Sequence, residues 1–357
     1  YAKNYGTYGG ALSITTTGDT EGTTGYGIVA KNYGSGALSI TTTGDTMGNA
    51  DGIFAKNSGT DLTINAATTK GGKNGIFAQN NGTGALSITT TGTTTGNRFD
   101  GIYAKNYYGT SLMINAATTT GGRYGIFAKN EGTGALNITT TGDTTGKRLN
   151  GIYARNSSKG TSLTINAATT KGGRYGIKAR NYGTGALSIT TTGTTTGTNG
   201  DGIFAFNGDP ENPAGTSLTI NAATTTGGSN GIFATNQGTG ALSITTTGKT
   251  TGGTGHGIYA YNAGSGGTSI TVASTGSIET SADKGYGIFN KSSGTAAKLN
   301  EITVAGSITT AGKGAHGIYN LGDFNKTIIE GGGSILTKGN NTGGIFQAGD
   351  NNTAYIF

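Results

Sequence analysis

The residues with the plainest chemical potential are cations. From Lys70 to Arg180 the chain carries fourteen basic residues against three acidic ones, Asp100, Glu131 and Asp143, in a protein of net charge +7. Five of them (Lys73, Arg98, Arg123, Arg148 and Arg174) stand two or three residues before a Gly-Ile pair. Four more (Lys105, Lys129, Arg155 and Arg180) stand three residues after the Ile of such a pair. Between the two sets fall the rings of Phe77, Tyr103, Phe127 and Tyr153. Cations draw in a polyanion, and rings offer flat faces to whatever carries the charge. The expected chemistry is non-covalent docking of a glycosaminoglycan-like anionic glycan or an acidic protein. The plainer reading is that duplicated repeats copy their charges onto a solvated face. Nucleic acid also favours basic residues interleaved with aromatics, but is not expected as a partner.

Catalysis is not expected. Asp19 and Asp45 recur in the same Thr-Gly-Asp-Thr turn, and a spacing of about 5 Å would match a retaining glycosidase pair. Asp beside Gly is ordinary turn chemistry, however, and no Trp is present to carry a sugar. His256 and His316 both precede a Gly-Ile pair where other copies carry Tyr, Asn or Asp. They are expected two coils apart, too far to share a metal. With no Cys in the chain, neither disulfides nor thiolate metal sites arise, and no cofactor is implied.

The elements that position these residues come from a repeat. Thirteen anchor glycines, from Gly27 to Gly344, recur every ~26 residues, each opening Gly-Ile and usually an aromatic. Each copy has two segments with period-2 alternation, the strand signal. One reads as Gly52 to Asn57; the other reads as Ala85 to Gly92 or, in alternate copies, Ser162 to Ala168. One copy offers about four apolar side chains, worth ~1.5–3 kcal/mol each on burial. Ordering 26 residues costs about 1–2 kcal/mol apiece. A copy cannot fold alone, so copies must stack. The expected fold is all-β, a right-handed parallel β-helix (solenoid) of about 13 coils. A short third strand at Thr93 to Thr95 closes the coil, and glycines such as Gly92 and Gly96 take corners with positive φ. The array is read as one unit, 1–357, regular over 1–262 and more degenerate over 263–357.

Stacking has further consequences. Asn32, Asn57, Asn80, Asn106, Asn130, Asn156, Asn181, Asn207, Asn236 and Asn262 become an inward amide ladder, while Asn290 and Asn320 shift to the alanine position. The outward aromatics extend to Phe54, Phe204, Phe233, Tyr259, Phe289 and Tyr319, interrupted by Val29 and Lys178. Asp209 to Pro213 reads as an inserted side loop.

A Cys-free, Gly/Thr-rich array of Gly-Ile-Phe/Tyr-Ala-x-Asn-x-Gly-Thr-Gly-Ala-Leu-x-Ile-Thr units resembles the passenger domain of type V autotransporters of host-associated Gram-negative bacteria. The resemblance spans essentially the whole chain. It implies a bacterial cell-surface or secreted protein, an adhesin or virulence factor, whose partner is a host cell-surface protein or an anionic glycan. It also implies a signal peptide and a covalently linked translocator barrel, both expected to lie outside this fragment. Three rivals follow: an agonist of a receptor on vascular cells, an ice-binding solenoid and a polysaccharide-degrading one. The ice-binding reading is weakened because Ser87 and Thr89 alternate with Thr164 and Asn166, which breaks a Thr array.

Overall fold

Three strands make one coil. Ile76–Asn80, Leu86–Thr90 and Thr94–Gly96 are followed by Ile102–Asn106, Leu112–Ala116 and Thr119–Gly121. Each strand pairs in parallel with its equivalent, placing Ile76 against Ile102, Leu86 against Leu112 and Thr94 against Thr119. Like residues therefore lie on like residues one coil apart. This is a computed structural model, and it describes residues 1–6, 10–209, 215–292 and 295–357. Every regular element among the described residues is a strand. The expected fold, a parallel β-solenoid of about thirteen coils with ~26 residues per turn, is the one the chain adopts.

The chain divides into two units, 1–173 and 174–357. In the first, seven coils run from Ala2–Asn4 to Thr170–Gly172. In the second, coils run from Ile177–Asn181 to the final strands Ile345–Ala348 and Thr353–Ile356. The core of both is narrow and made of small aliphatics. Ile102, Ala104, Leu112 and Ile114 are wholly buried in one coil, as are Ile232, Ala234, Leu242 and Ile244 in another. Alternation sends Tyr103, Lys105 and Met113 to the outside.

The third strand supplies a column of threonine. Thr46, Thr69, Thr94, Thr119, Thr144 and Thr170 are buried in the first unit, and their hydroxyls have no protein partner. The methyls of Thr46, Thr69, Thr94, Thr119 and Thr144 fill the space beside a glycine of the Gly-Ile pair, as Thr119 Cγ2 does at Gly101. In the second unit the column changes to isoleucine, with Thr250 stacked on Ile278 and Ile278 on Ile308.

Two local expectations are corrected. The closing strand is Thr94–Gly96, one residue later than Thr93 to Thr95. Gly92 and Gly96 do not have positive φ; the described glycines that do are Gly208, Gly267, Gly314, Gly322, Gly332 and Gly349. What forbids a side chain at Gly96 is crowding, since a Cβ there would run into the carbonyl oxygen of Asp100. A Cβ at Gly92 would stand 2.7 Å from Thr68 Oγ1. The inserted loop at Asp209 to Pro213 lies, from Pro210 on, outside the described residues.

The asparagine ladder forms. In the first unit Nδ2 of Asn4, Asn32, Asn57, Asn80, Asn106 and Asn130 each donates to Oδ1 of the next asparagine at 2.8–3.1 Å. In the second, Asn181, Asn207 and Asn236 do the same at 2.9–3.0 Å. The other Nδ2 hydrogen goes to a backbone carbonyl across the turn, such as Gly84 O for Asn80. Buried amides are thereby satisfied, as their burial requires. Asn290 and Asn320 stack at the alanine position, with Asn290 in register with Ala260 and bonded to Asn320 at 2.8 Å.

Candidate ligand-binding face

The aromatic residues of the first sheet stack into a ladder. In the first unit Phe54, Phe77, Tyr103, Phe127 and Tyr153 have successive centroids 4.7–5.0 Å apart and planes within 6°. The cause is register. Parallel in-register pairing holds equivalent residues about one strand spacing apart, and rings at that distance stack face to face. The rings are half-buried, so one edge of the ladder remains in contact with solvent. In the second unit Phe204, Phe233, Tyr259 and Phe289 continue the pattern at 4.7–5.0 Å. Lys178, which replaces a ring there, lays its ammonium over Tyr175 and Phe204 at 4.9 and 5.3 Å. Burial, then the charges of Arg180 and Arg174, hold Lys178 below its ordinary pKa.

The cation set on the first strand is a true column. Lys105 lies against Lys129 and Lys129 against Arg155. It extends to Lys3, Lys31 and Lys56, with Gln79 between Lys56 and Lys105. These three lysines lie outside the charge-rich stretch that marks the others in the sequence, although their spacing from the anchor glycines matches. Lys129 is partly neutralised by an ion pair with Glu131. That hydrogen bond from Lys129 holds the Glu131 carboxyl below its usual range, with the Lys129, Lys105 and Arg155 charges acting in the same sense. In the second unit Arg180 holds the equivalent strand position and lies against Phe206.

The cation set before the anchor glycines is not a simple column. Lys73 O accepts from Phe99 N, Phe99 O from Arg123 N, and Arg123 O from Leu149 N. The vertical order is therefore Lys73, Phe99, Arg123, Leu149. Arg98 sits in the extra residue of the longer turn, with its amide on Gly72 O. Turn length explains this. The stretch from Gly71 to Gly75 is one residue shorter than that from Gly96 to Gly101, and from there to Gly257 the two forms alternate.

This alternation brings Arg98 and Arg123 to one ring. Their guanidinium carbons lie 5.4 and 5.7 Å from the centre of Phe99, and Arg123 is also 5.5 Å from that of Tyr124. Among the described residues no carboxylate lies within ion-pair distance of Lys73, Arg98 or Arg123. Arg148 instead braces the backbone. Its Nε donates to Gly122 O at 3.0 Å and its Nη2 to Arg98 O at 2.8 Å, pinning three successive coils. In the second unit Arg174 lies over Tyr175 at 5.1 Å.

Phe99 and Tyr124 rise beside the ladder and leave a groove of about 320 Å³. It is lined by the rings of Phe99, Tyr124, Tyr103, Phe127 and Phe77 together with Arg123, Asp100 and Asn74. Asp100 is 3% exposed. Burial pushes its carboxyl up to about 6, against the lowering effects of the Tyr124 amide and the Arg123 charge. Burial likewise raises the phenols of Tyr103 and Tyr124.

Asp100 belongs to a second ladder that sequence reading missed. In several coils an Asp, Asn or His before the anchor glycine caps the backbone of its successor. Asp51 accepts from Asn74 N at 2.9 Å, Asn74 from Asp100 N at 3.0 Å, and Asp100 from Tyr124 N at 3.4 Å. In the second unit Asp201 caps Asn230 at 3.0 Å, Asn230 caps His256 at 2.8 Å, and His256 Nδ1 accepts from Tyr286 N at 3.0 Å. The signal was the recurrence of acceptor side chains at one repeat position.

The other candidates resolve into structural contacts. Asp19 Oδ1 accepts from Asp45 N at 2.9 Å, and both residues are exposed. His256 and His316 each stack near Tyr286, at 5.0 and 5.7 Å. No cluster of three metal-ligating side chains occurs among the described residues.

Fold and face together define a class: a parallel β-solenoid, as in autotransporter passengers, bearing an aromatic ladder flanked by cations. In comparisons with known proteins, no family model, no curated protein and no solved structure matches the chain.

Proposed function

We propose that this protein is a non-catalytic binding module of the autotransporter-passenger kind, displayed on a bacterial cell surface or released from it. Its ligand is an anionic glycan of the host surface. The observation that carries the reading is the pair Arg98 and Arg123, two guanidinium groups without carboxylate partners, both resting on Phe99 beside the ring ladder. Arg presents a planar fork suited to sulfate and carboxylate groups. Stacking on a ring holds that fork in place, which lowers the ordering cost of binding. Lys73 lies in the same vertical order and is exposed, adding charge to the approach.

The non-catalytic reading is supported by the structural part the acidic residues of these turns play, each capping a backbone amide of the next coil. Asp19 holds Asp45 N, and Asp51 and Asp100 hold the amides of the coils that follow.

The test is binding of a heparin-derived oligosaccharide to the full chain at several salt concentrations. Affinity is expected to fall steeply as salt screens the contact, and by about tenfold or more in Arg98→Glu plus Arg123→Glu. A binding curve that responds to neither change refutes the reading. Binding of an acidic protein but of no glycan would reassign the ligand.

A further inference from the structure

The groove beside Phe99 has a feature that neither the amide ladder nor the charged face requires. Asp100 occupies a ladder position whose counterparts in the sequence include Asn74 and Asn150. An asparagine there caps the next amide without burying a charge, as Asn74 does for Asp100 N. A carboxylate has about four acceptor sites. Among the described residues the only hydrogen bond to the Asp100 carboxylate is that from Tyr124 N, at 3.4 Å. A carboxyl group at the lining of an aromatic groove thus retains most of its acceptor capacity.

We propose that this groove seats a single sugar ring of the acidic glycan, with the ring's C–H face on Phe99 or Tyr124, its hydroxyls on Asp100, and its sulfate or carboxylate on Arg123. The proposal rests on the reading under Proposed function and adds to it the position and chemistry of one subsite. Four observations support the geometry. The volume of about 320 Å³ lies at the small end of ligand sites. Aromatic walls match the apolar face of a pyranose. Hydroxyl donors find Asp100, while the phenols of Tyr103 and Tyr124 line the same space. Arg123 lines the groove and is partly exposed, within reach of a charged substituent on the ring. A bare polyanion uses only the last of these, so the groove discriminates sugars from other anions.

The experiment compares two probes on the full chain, a heparin-derived oligosaccharide and linear inorganic polyphosphate, and reads the ratio of their affinities. The ratio removes the general charge effect. Phe99 is partly exposed, so Phe99→Ala leaves the core untouched. Asp100→Asn installs the residue that other coils already carry at this position. The ratio is expected to fall about tenfold in Phe99→Ala and about threefold in Asp100→Asn, with Phe99→Trp retaining it. A ratio unchanged in Phe99→Ala and Asp100→Asn, while the wild type binds the oligosaccharide, overturns the subsite and leaves the glycan reading standing. A wild type that binds neither probe overturns both.

Discussion

The amide of Asn57 donates to Oδ1 of Asn80 at 2.9 Å, and Asn80 passes the pattern on to Asn106 at 3.1 Å. The same Asn80 side chain accepts from Gly82 N and donates to Gly84 O, so one buried residue closes its own turn and joins two neighbouring coils. Vertical order and turn geometry are enforced by a single side chain.

Asn80→Ala is therefore expected to cost about 2–4 kcal/mol, because it strands buried groups of Asn57, Asn106 and its own turn together. The loss should be local, since a solenoid coil contacts mainly its neighbours. Native-state hydrogen exchange resolves this: amides from Asn57 to Asn106 should exchange faster, and those near Asn236 should not. Uniform change along the chain would mean the ladder carries no local coupling.

The threonine column makes the opposite prediction. Thr119 is wholly buried and its hydroxyl has no protein partner. Valine has nearly the same shape and retains the methyl that packs at Gly101. Thr119→Val should leave stability unchanged or raise it by about 1 kcal/mol. Thr310→Val should instead lower it by a similar amount, since Thr310 Oγ1 donates to Ala315 O at 2.7 Å. Denaturant melts of the two variants decide the matter; equal effects would show that the hydroxyl environments do not differ.

Two buried groups should oppose each other in the pH dependence of stability. His256 is lowered from 6.5 to about 4 by burial. Between these values the unfolded chain binds the proton and the native one does not, so stability falls as pH drops from about 6.5 to about 4. Protonation would also remove the acceptor used by Tyr286 N. Asp100 is raised from 3.8 to about 6. Here the native state holds the extra proton, so the contribution is fullest below about 3.8 and is lost as pH rises to about 6. His256→Gln should flatten the first dependence and Asp100→Asn the second, as followed by amide exchange in the 174–357 and 1–173 units respectively. Identical pH profiles in wild type and variants would contradict both assignments.

Much of the architecture was legible because the repeat is short and its apolar positions are few. Once Ile53 and Ile76 are aligned, period-2 alternation places Ala55 and Asn57 inside and Phe54 and Lys56 outside. The amide ladder followed from the same alignment, as did the Lys105, Lys129, Arg155 column. The pre-anchor cations were harder. Counting from the anchor glycine put Arg98 with Arg123, but hydrogen bonding puts Phe99 in that place. A one-residue difference in turn length has no periodic signature, and only the backbone path decides which residue absorbs it.

Sequence by itself determined the stacking and the strand type of each copy, because no single copy buries enough apolar surface to fold and identical copies satisfy one another best in register. Tertiary structure alone decided the glycine roles, the capping ladder through Asp100 and the meeting of Arg98 and Arg123 on Phe99. Those depend on contacts a few ångströms across between residues some 25 apart, where a shift of one position in a turn exchanges an arginine for a ring.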